Sequence, residues 1–163
     1  MTLSIDAATP ADVPVLMTLI GELAEFERLA HEVVVTEASL AEALFGARPA
    51  VEAVVARSGG EVAGFALYFH NFSTFIGRRG LFLEDLYVRP AFRGAGVGRH
   101  LLVHVARLAA SRGCGRMEWA VLNWNRRAIG FYESLGARPI NDWTVYRLDR
   151  AALDAIQAPI PKP

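Results

Sequence analysis

Two carboxylates, Glu84 and Asp85, stand side by side in Leu83-Glu84-Asp85-Leu86-Tyr87-Val88-Arg89-Pro90, and a glycine-rich run, Arg93-Gly94-Ala95-Gly96-Val97-Gly98-Arg99, follows closely. Glycines let a backbone approach a ligand, and a helix N-terminus presents unpaired N–H groups to an anion. A pyrophosphate held there lies beside a strand whose carboxylates can take a proton. Neighbours on a regular strand face opposite sides, so only one of the pair is expected to line the cleft.

Three phosphate-binding patterns compete for Arg93–Arg99. A P-loop needs a Gly-Lys-Ser/Thr ending, and the only lysine is Lys162. The dinucleotide fingerprint needs a third glycine where Arg99 stands and belongs after the first strand of a βαβ unit. The third pattern is Arg/Gln-x-x-Gly-x-Gly/Ala, which Arg93 to Gly98 matches.

The surrounding elements are readable from periodicity. Leu3–Ala7 reads as a strand, and Thr9-Pro10-Ala11-Asp12 as the start of a helix running to about Leu29, with Glu22, Glu25 and Glu27 on its outer face. Thr36 caps a second helix that ends at Gly46. Val51–Arg57 and Val62–His70 read as a hairpin, Asn71 to Gly80 as a loop, and Leu81–Val88 as a strand. A helix with Val97, Leu101, Leu102, Val105, Leu108 and Ala109 on one face follows Gly96. After it come a strand over Arg116–Val121, a helix capped by Asn125, a strand over Trp143–Asp149 and a short helix over Ala151–Gln157. The expected fold is one α/β domain over residues 1–157, a mixed sheet with helices on both faces, and a Pro-rich tail over 158–163.

Composition narrows the partners. The chain has 163 residues with 53% hydrophobic content, enough for a core, and one cysteine, which excludes an internal disulfide framework. Net charge is +0, yet twelve acidic and five basic residues lie up to Asp85, and five acidic and twelve basic beyond it. A front half that receives a cation and a back half that receives a polyanion is one reading; differing solvated faces or dimer packing is the other. The scattered arginines form no dense patch, so nucleic acid is not an expected partner. No leader and no membrane span are expected, which makes the cytoplasm the expected compartment. Cys114 reads as a structural thiol, and His31, His70, His100 and His104 show no metal-ligand spacing with carboxylates.

Taken together, Phe82-Leu83-Glu84-Asp85-Leu86-Tyr87-Val88, Arg93–Arg99 and the second signature, Asn123-Trp124-Asn125-Arg126-Arg127-Ala128-Ile129-Gly130-Phe131-Tyr132, resemble the GNAT acetyltransferases. With Ile20–Glu27 and Val62–Tyr68, the resemblance narrows to the diamine (spermidine/spermine) and thialysine acetyltransferase branch and covers nearly the whole chain. It implies a GNAT fold with a mostly antiparallel central sheet, acetyl-CoA as co-substrate, no metal and a homodimer. It also implies transfer of an acetyl group to a primary amine of a small cationic substrate by direct attack in a ternary complex. Two other readings are an acetyltransferase for protein N-termini or lysines and a coenzyme A-binding module without chemistry.

The resemblance assigns roles residue by residue. Backbone groups of Leu86, Tyr87 and Val88 run along the thioester and pantetheine, the Leu86 N–H facing the developing oxyanion. Gly94, Ala95, Gly96, Val97, Gly98 and Arg99 supply N–H groups to the pyrophosphate, Arg93 and Arg99 add charge, and Asn125 contacts the coenzyme. Glu84 contacts the amine and takes its proton through water, with Asp85 in reserve, and Tyr132 protonates the departing thiolate. A phenol near pKa 10 can donate to a thiolate whose thiol has a pKa of about 8.5. Glu27 contacts substrate. Phe26 stands where the branch has a tyrosine, and a second late acidic contact is replaced around Asn141-Asp142, changes that count against long polyamines.

Overall fold

A computed structural model describes residues 2–156, which fall into two compact units, one up to Leu122 and one from Asn123 onward. The first unit holds five strands in the order β1-β2-β3-β4-β5: Leu3–Ala7, Glu52–Ser58, Glu61–Ser73, Arg78–Val88 and Met117–Trp119. The first three pairings are antiparallel and β4 with β5 is parallel. Three helices complete the unit: α1 (Val13–Phe26), α2 (Glu37–Phe45) and α3 (Val97–Ser111).

Strand periodicity divides the core between the two faces of this sheet. Ala53, Val55, Phe65 and Leu67 pack with Val13, Leu16 and Leu19 of α1 and Leu40 and Leu44 of α2. The alternate residues Val54, Ala56 and Ala66 are equally buried on the opposite face, and α3 packs on β1 to β4 through Leu101, Leu102, Val105 and Ala109. A partly exposed ion pair sits at that helix's C-terminal end, where Arg112 Nη1 donates to Glu52 Oε2 at 2.5 Å. Buried Tyr68 hydrogen-bonds Glu52 and has its phenol pushed up to about 12, by burial first and then by the Glu52 charge.

Local signals explain most boundaries. Thr36 Oγ1 accepts from Ser39 N at 3.2 Å and starts α2. A single turn of tight helix over Pro10–Asp12 precedes α1, closed by Thr9 N donating to Asp12 Oδ2 at 2.8 Å. Helix α1 stops at Phe26, three residues before the expected Leu29, because Arg28 takes a left-handed conformation with φ +62. Leu29 N then reaches back to Ala24 O at 2.8 Å, which satisfies an end carbonyl of the helix.

Two expectations need correction. The stretch from Asn71 to Gly80 is no loop: β3 and β4 continue through it to a tight turn, with Gly77 at φ +67 and its N–H on Ser73 O at 2.8 Å. Its mixed composition, with Phe72, Phe75 and Ile76 exposed, belongs to a hairpin end that projects into solvent, where strand pairing needs no alternation. Conversely, Trp143–Asp149 forms no ladder, and Trp143, Val145 and Tyr146 are 73%, 93% and 91% exposed. Strand propensity alone does not hold an extended segment that has no pairing partner. The strand over Arg116–Val121 shortens to Met117–Trp119.

The second unit holds α4 (Arg126–Ser134) and α5 (Arg150–Ile156). Asn125 Oδ1 accepts from Ala128 N at 3.2 Å and caps α4, and Gly136 at φ +87 follows its end. Asp149 Oδ1 accepts from Ala152 N at 2.8 Å and caps α5, where Arg150 also pairs with Asp154 at 2.6 Å. The expected tail, 158–163, lies outside the described residues, as does Gln157.

Candidate active site

The strand that carries the carboxylates is irregular at the point that matters. Leu67 pairs with Asp85 and Tyr68 with Leu83, so Glu84 is an extra residue in a β-bulge. The bulge overturns the premise that the two neighbours alternate across a regular strand. Glu84 is exposed, whereas Asp85 is mostly shielded from solvent. Asp85 shares its register position with Leu67, which belongs to the core under α1 and α2, so Asp85 lies on the face that α1 covers. Beyond it, Leu86, Tyr87 and Val88 pair with Ala66, Phe65 and Gly64. A Cβ on Gly64 would meet Tyr87 O at 2.3 Å, so only glycine lets β3 lie this close to β4 there.

Helix α1 is fastened to β4 at two heights. Arg89 grips Glu22 with Nη2 on Oε1 at 2.8 Å and Nε on both oxygens at 3.1 Å, while its Nη1 donates to Val62 O at 3.2 Å. Tyr87 hydrogen-bonds the same Glu22, and burial first, then the Glu22 charge, raises its phenol pKa. One turn on, Arg93 donates from Nε to Val88 O at 2.8 Å and lays its guanidinium 4.8 Å from the centre of the Phe26 ring and 5.5 Å from that of Tyr87. Arg93, expected as a charge for the coenzyme, is thus already occupied by the end of α1. Glu22 read as part of a solvated acidic face; its grip by Arg89 makes it a positioning residue, as it does Arg89.

These ties set Glu27, which follows Phe26, close to the strand. Burial raises its carboxyl pKa. Asp85 is pushed up to about 6 by burial first, then by the Glu84 and Glu27 charges, so the three carboxylates share one electrostatic neighbourhood. Such a neighbourhood favours a cation, since an ammonium relieves the mutual repulsion.

The glycine turn adopts the backbone its residue types allow. Gly94 and Gly96 have φ +86 and +82, in the left-handed region. Gly96 is the N-cap of α3 and no side chain caps the helix. Its first-turn N–H groups therefore face outward with the positive end of the helix dipole behind them, the arrangement that holds a phosphate. Val97, Gly98 and Arg99 form that first turn.

The remaining predicted residues belong to the second unit. Asn125 is the cap of α4, and Tyr132 lies on its apolar side, its ring 5.3 Å from that of Phe131. Cys114 lies past the opposite end of α3 from the glycine turn, its N–H bonded to Ala109 O at 3.0 Å. Among the described residues no three His, Cys, Asp or Glu side chains cluster as metal ligands, and no helix is long and apolar enough to cross a membrane.

The chain is similar to known proteins. The acetyltransferase (GNAT) family matches residues 20–137. The chain is 34% identical to an L-ornithine N5-acetyltransferase of Arabidopsis thaliana over 91% of its length and 85% of the relative's. It is 36% identical to the thialysine N-epsilon-acetyltransferase of Mus musculus and 38% identical to that of Caenorhabditis elegans, over 90% of its length and 92% and 91% of theirs. A spermidine/spermine N(1)-acetyltransferase-like protein of Homo sapiens is 31% identical over 90% of this chain and 22% of its own. Among solved structures, an integron cassette protein from the mobile metagenome of V. cholerae superposes with a TM-score of 0.80 at 26% identity, covering 98% of this chain and 99% of the other. The glycine turn at an uncapped helix, the acidic strand beside it and these relatives lead to one conclusion: the chain belongs to the GNAT acetyltransferase family.

Proposed function

We propose that the protein transfers an acetyl group from acetyl-CoA to a primary amine of a small cationic substrate, such as a diamine, a polyamine or a thialysine-like or ornithine-like amino acid, by direct attack in a ternary complex. The observation that carries the substrate class is the charge that Glu84 and Glu27 both exert on the mostly shielded Asp85, an acidic surrounding that an ammonium relieves. Names of the relatives agree, since ornithine and thialysine each carry a side-chain amine. Gly94–Arg99 hold the pyrophosphate on the α3 N-terminus, Leu86–Val88 align the pantetheine arm, and the Leu86 N–H receives the oxyanion. Asn125 contacts the coenzyme and Tyr132 returns a proton to the departing sulfur. No metal enters this scheme, and the reaction belongs in the cytoplasm, where acetyl-CoA is available.

Wild-type protein with acetyl-CoA and an amine panel (short diamines, polyamines, thialysine, ornithine, lysine and N-terminal peptides) is expected to release free thiol most with the small amines. No release from any amine removes the enzymatic reading and leaves a coenzyme A-binding module; preference for peptides moves the function to protein acetylation. Tyr132→Phe is expected to lower kcat by about 10²-fold with little change in KM; unchanged turnover removes the tyrosine from the mechanism. The proposed homodimer is supported by the exposed Trp143, Val145, Tyr146 and Leu148. A monomeric mass by light scattering at micromolar concentration counts against it.

A further inference from the structure

The geometry points to Asp85, not Glu84, as the group that accepts the substrate ammonium's proton, with Glu84 and Glu27 as the charges that bind the cation and tune Asp85. The inference rests on the acetyltransferase reading above and goes beyond it by moving the base to a different residue.

Three observations carry it. The first is the bulge. Because Leu83 pairs with Tyr68 and Asp85 with Leu67, Glu84 drops out of the ladder and stands exposed, where water hydrates its carboxylate. Asp85 stays in the ladder on the face α1 covers, shielded from solvent. The second is the fastening of α1. The Glu22–Arg89 fork and the Phe26–Arg93–Val88 contacts fix the helix end that delivers Glu27 towards Asp85. Two arginines stand near that helix end, Arg28 next to Glu27 in the chain and Arg93, whose guanidinium is committed to the Val88 carbonyl and two rings.

The third is electrostatic, and it follows from the first two. From the strand itself Asp85 meets Glu84, from α1 it meets Glu27, and from β3 it meets apolar Leu67. Burial and both acids act in the same direction and raise it to about 6. A base close to the working pH is ionised in most molecules yet holds a proton better than an ordinary carboxylate.

The step balances without further reagents. An N–H bond of the ammonium breaks and an O–H bond forms on Asp85, directly or through one water, giving a neutral amine and a neutral carboxyl. The amine lone pair forms the new C–N bond, and the C–S bond breaks with its electron pair going to sulfur. The second amine proton is lost as the amide forms and replaces the one that Tyr132 gives the thiolate, and Asp85 releases its proton to solvent.

The test is the pH dependence of kcat/KM for one good amine in wild type, Glu84→Gln and Asp85→Asn, with ¹³C NMR of labelled aspartate carboxyls as a readout independent of turnover. Wild type is expected to show an acid limb near pH 6. Glu84→Gln is expected to keep that limb and shift it to lower pH, because one raising charge is gone. Asp85→Asn is expected to abolish it and to lower kcat/KM about 10²-fold or more. The assignment is overturned if Asp85→Asn retains the wild-type limb with only a higher amine KM, or if Glu84→Gln is the variant that loses the limb. An Asp85 carboxyl signal titrating in the ordinary aspartate range overturns it whatever the activity. A wild type inactive on every amine refutes the acetyltransferase reading, a result the NMR titration keeps separate from this one.

Discussion

At the scale of single residues, Arg93 shows how a motif position acquires a second task. Its place in the Arg-x-x-Gly-x-Gly pattern points to the coenzyme, yet its guanidinium stacks on Phe26 and its Nε holds the Val88 carbonyl at 2.8 Å. A cation over a ring contributes about 0.5–1 kcal/mol at an exposed site. Phe26, a ring without a hydroxyl, makes that contact through its face. Arg93→Lys keeps the charge but loses the planar stack and the Nε donor. Its expected effect is a fall of about tenfold in kcat/KM for the amine, about 1.4 kcal/mol, with KM for acetyl-CoA little changed. Initial-rate measurements varying each substrate in turn separate the two constants. A rise confined to the KM for acetyl-CoA places the side chain's work at the pyrophosphate.

Residue-level signals were legible in the sequence wherever one residue and its near neighbours decide the outcome. Thr36 and Asn125 cap the helices their positions suggested, and Gly94 and Gly96 take the left-handed backbone that their type permits. The bulge at Glu84 was not legible, because a bulge is a property of two strands in register and alternation within one strand assumes it away. The Glu22–Arg89 fork was hidden for the same reason: its partners are distant in sequence. Trp143–Asp149 failed in the opposite direction, having the composition of a strand and forming no ladder among the described residues.

At the scale of elements, the glycine turn and α3 act as one device. Gly96 ends the turn at φ +82 and caps a helix with no side-chain cap of its own, so the turn sets the direction of the first-turn N–H groups. A Cβ at Gly96 meets only the His100 ring, at 3.5 Å, which is ordinary contact, so crowding is not the issue. The cost of Gly96→Ala is conformational, about 1–2 kcal/mol for a left-handed alanine. The helix is expected to relieve it by rotating its first turn. KM for acetyl-CoA then rises by about tenfold or more while the acid limb assigned to Asp85 stays in place. A variant in which the amine KM alone changes separates the turn from coenzyme binding. Gly64→Ala differs in kind: its Cβ meets the Tyr87 carbonyl at 2.3 Å, so β4 itself must move.

At the scale of the whole molecule, two aspartates pull stability in opposite directions with pH. Burial alone would raise Asp12, but the Thr9 hydrogen bonds and the Arg57 ion pair outweigh it and hold the carboxyl below its ordinary value. A group lowered in the folded state stabilises the fold above its unfolded pKa, and that stabilisation fades as pH falls through the folded value. Asp85 is raised from 3.8 to about 6, so its charge destabilises the fold above about pH 6 and that penalty disappears as pH falls to the unfolded value. Asp12→Asn is therefore expected to destabilise the protein by about 1–3 kcal/mol near neutral pH, because it leaves Arg57 without its carboxylate. Asp85→Asn is expected to do the reverse, gaining about 2–3 kcal/mol near neutral pH from the removal of a charge that is mostly shielded from solvent. Urea unfolding followed by tryptophan fluorescence at about pH 7.5 and about pH 4.5 measures both. The gain from Asp85→Asn should shrink markedly at the lower pH, where wild-type Asp85 is itself neutral, whereas most of the loss from Asp12→Asn should persist. A gain that stays constant with pH would mean that packing, and not ionisation, sets the cost of Asp85. A measured gain would mean that the fold tolerates an unfavourable charge at the position that the reaction requires.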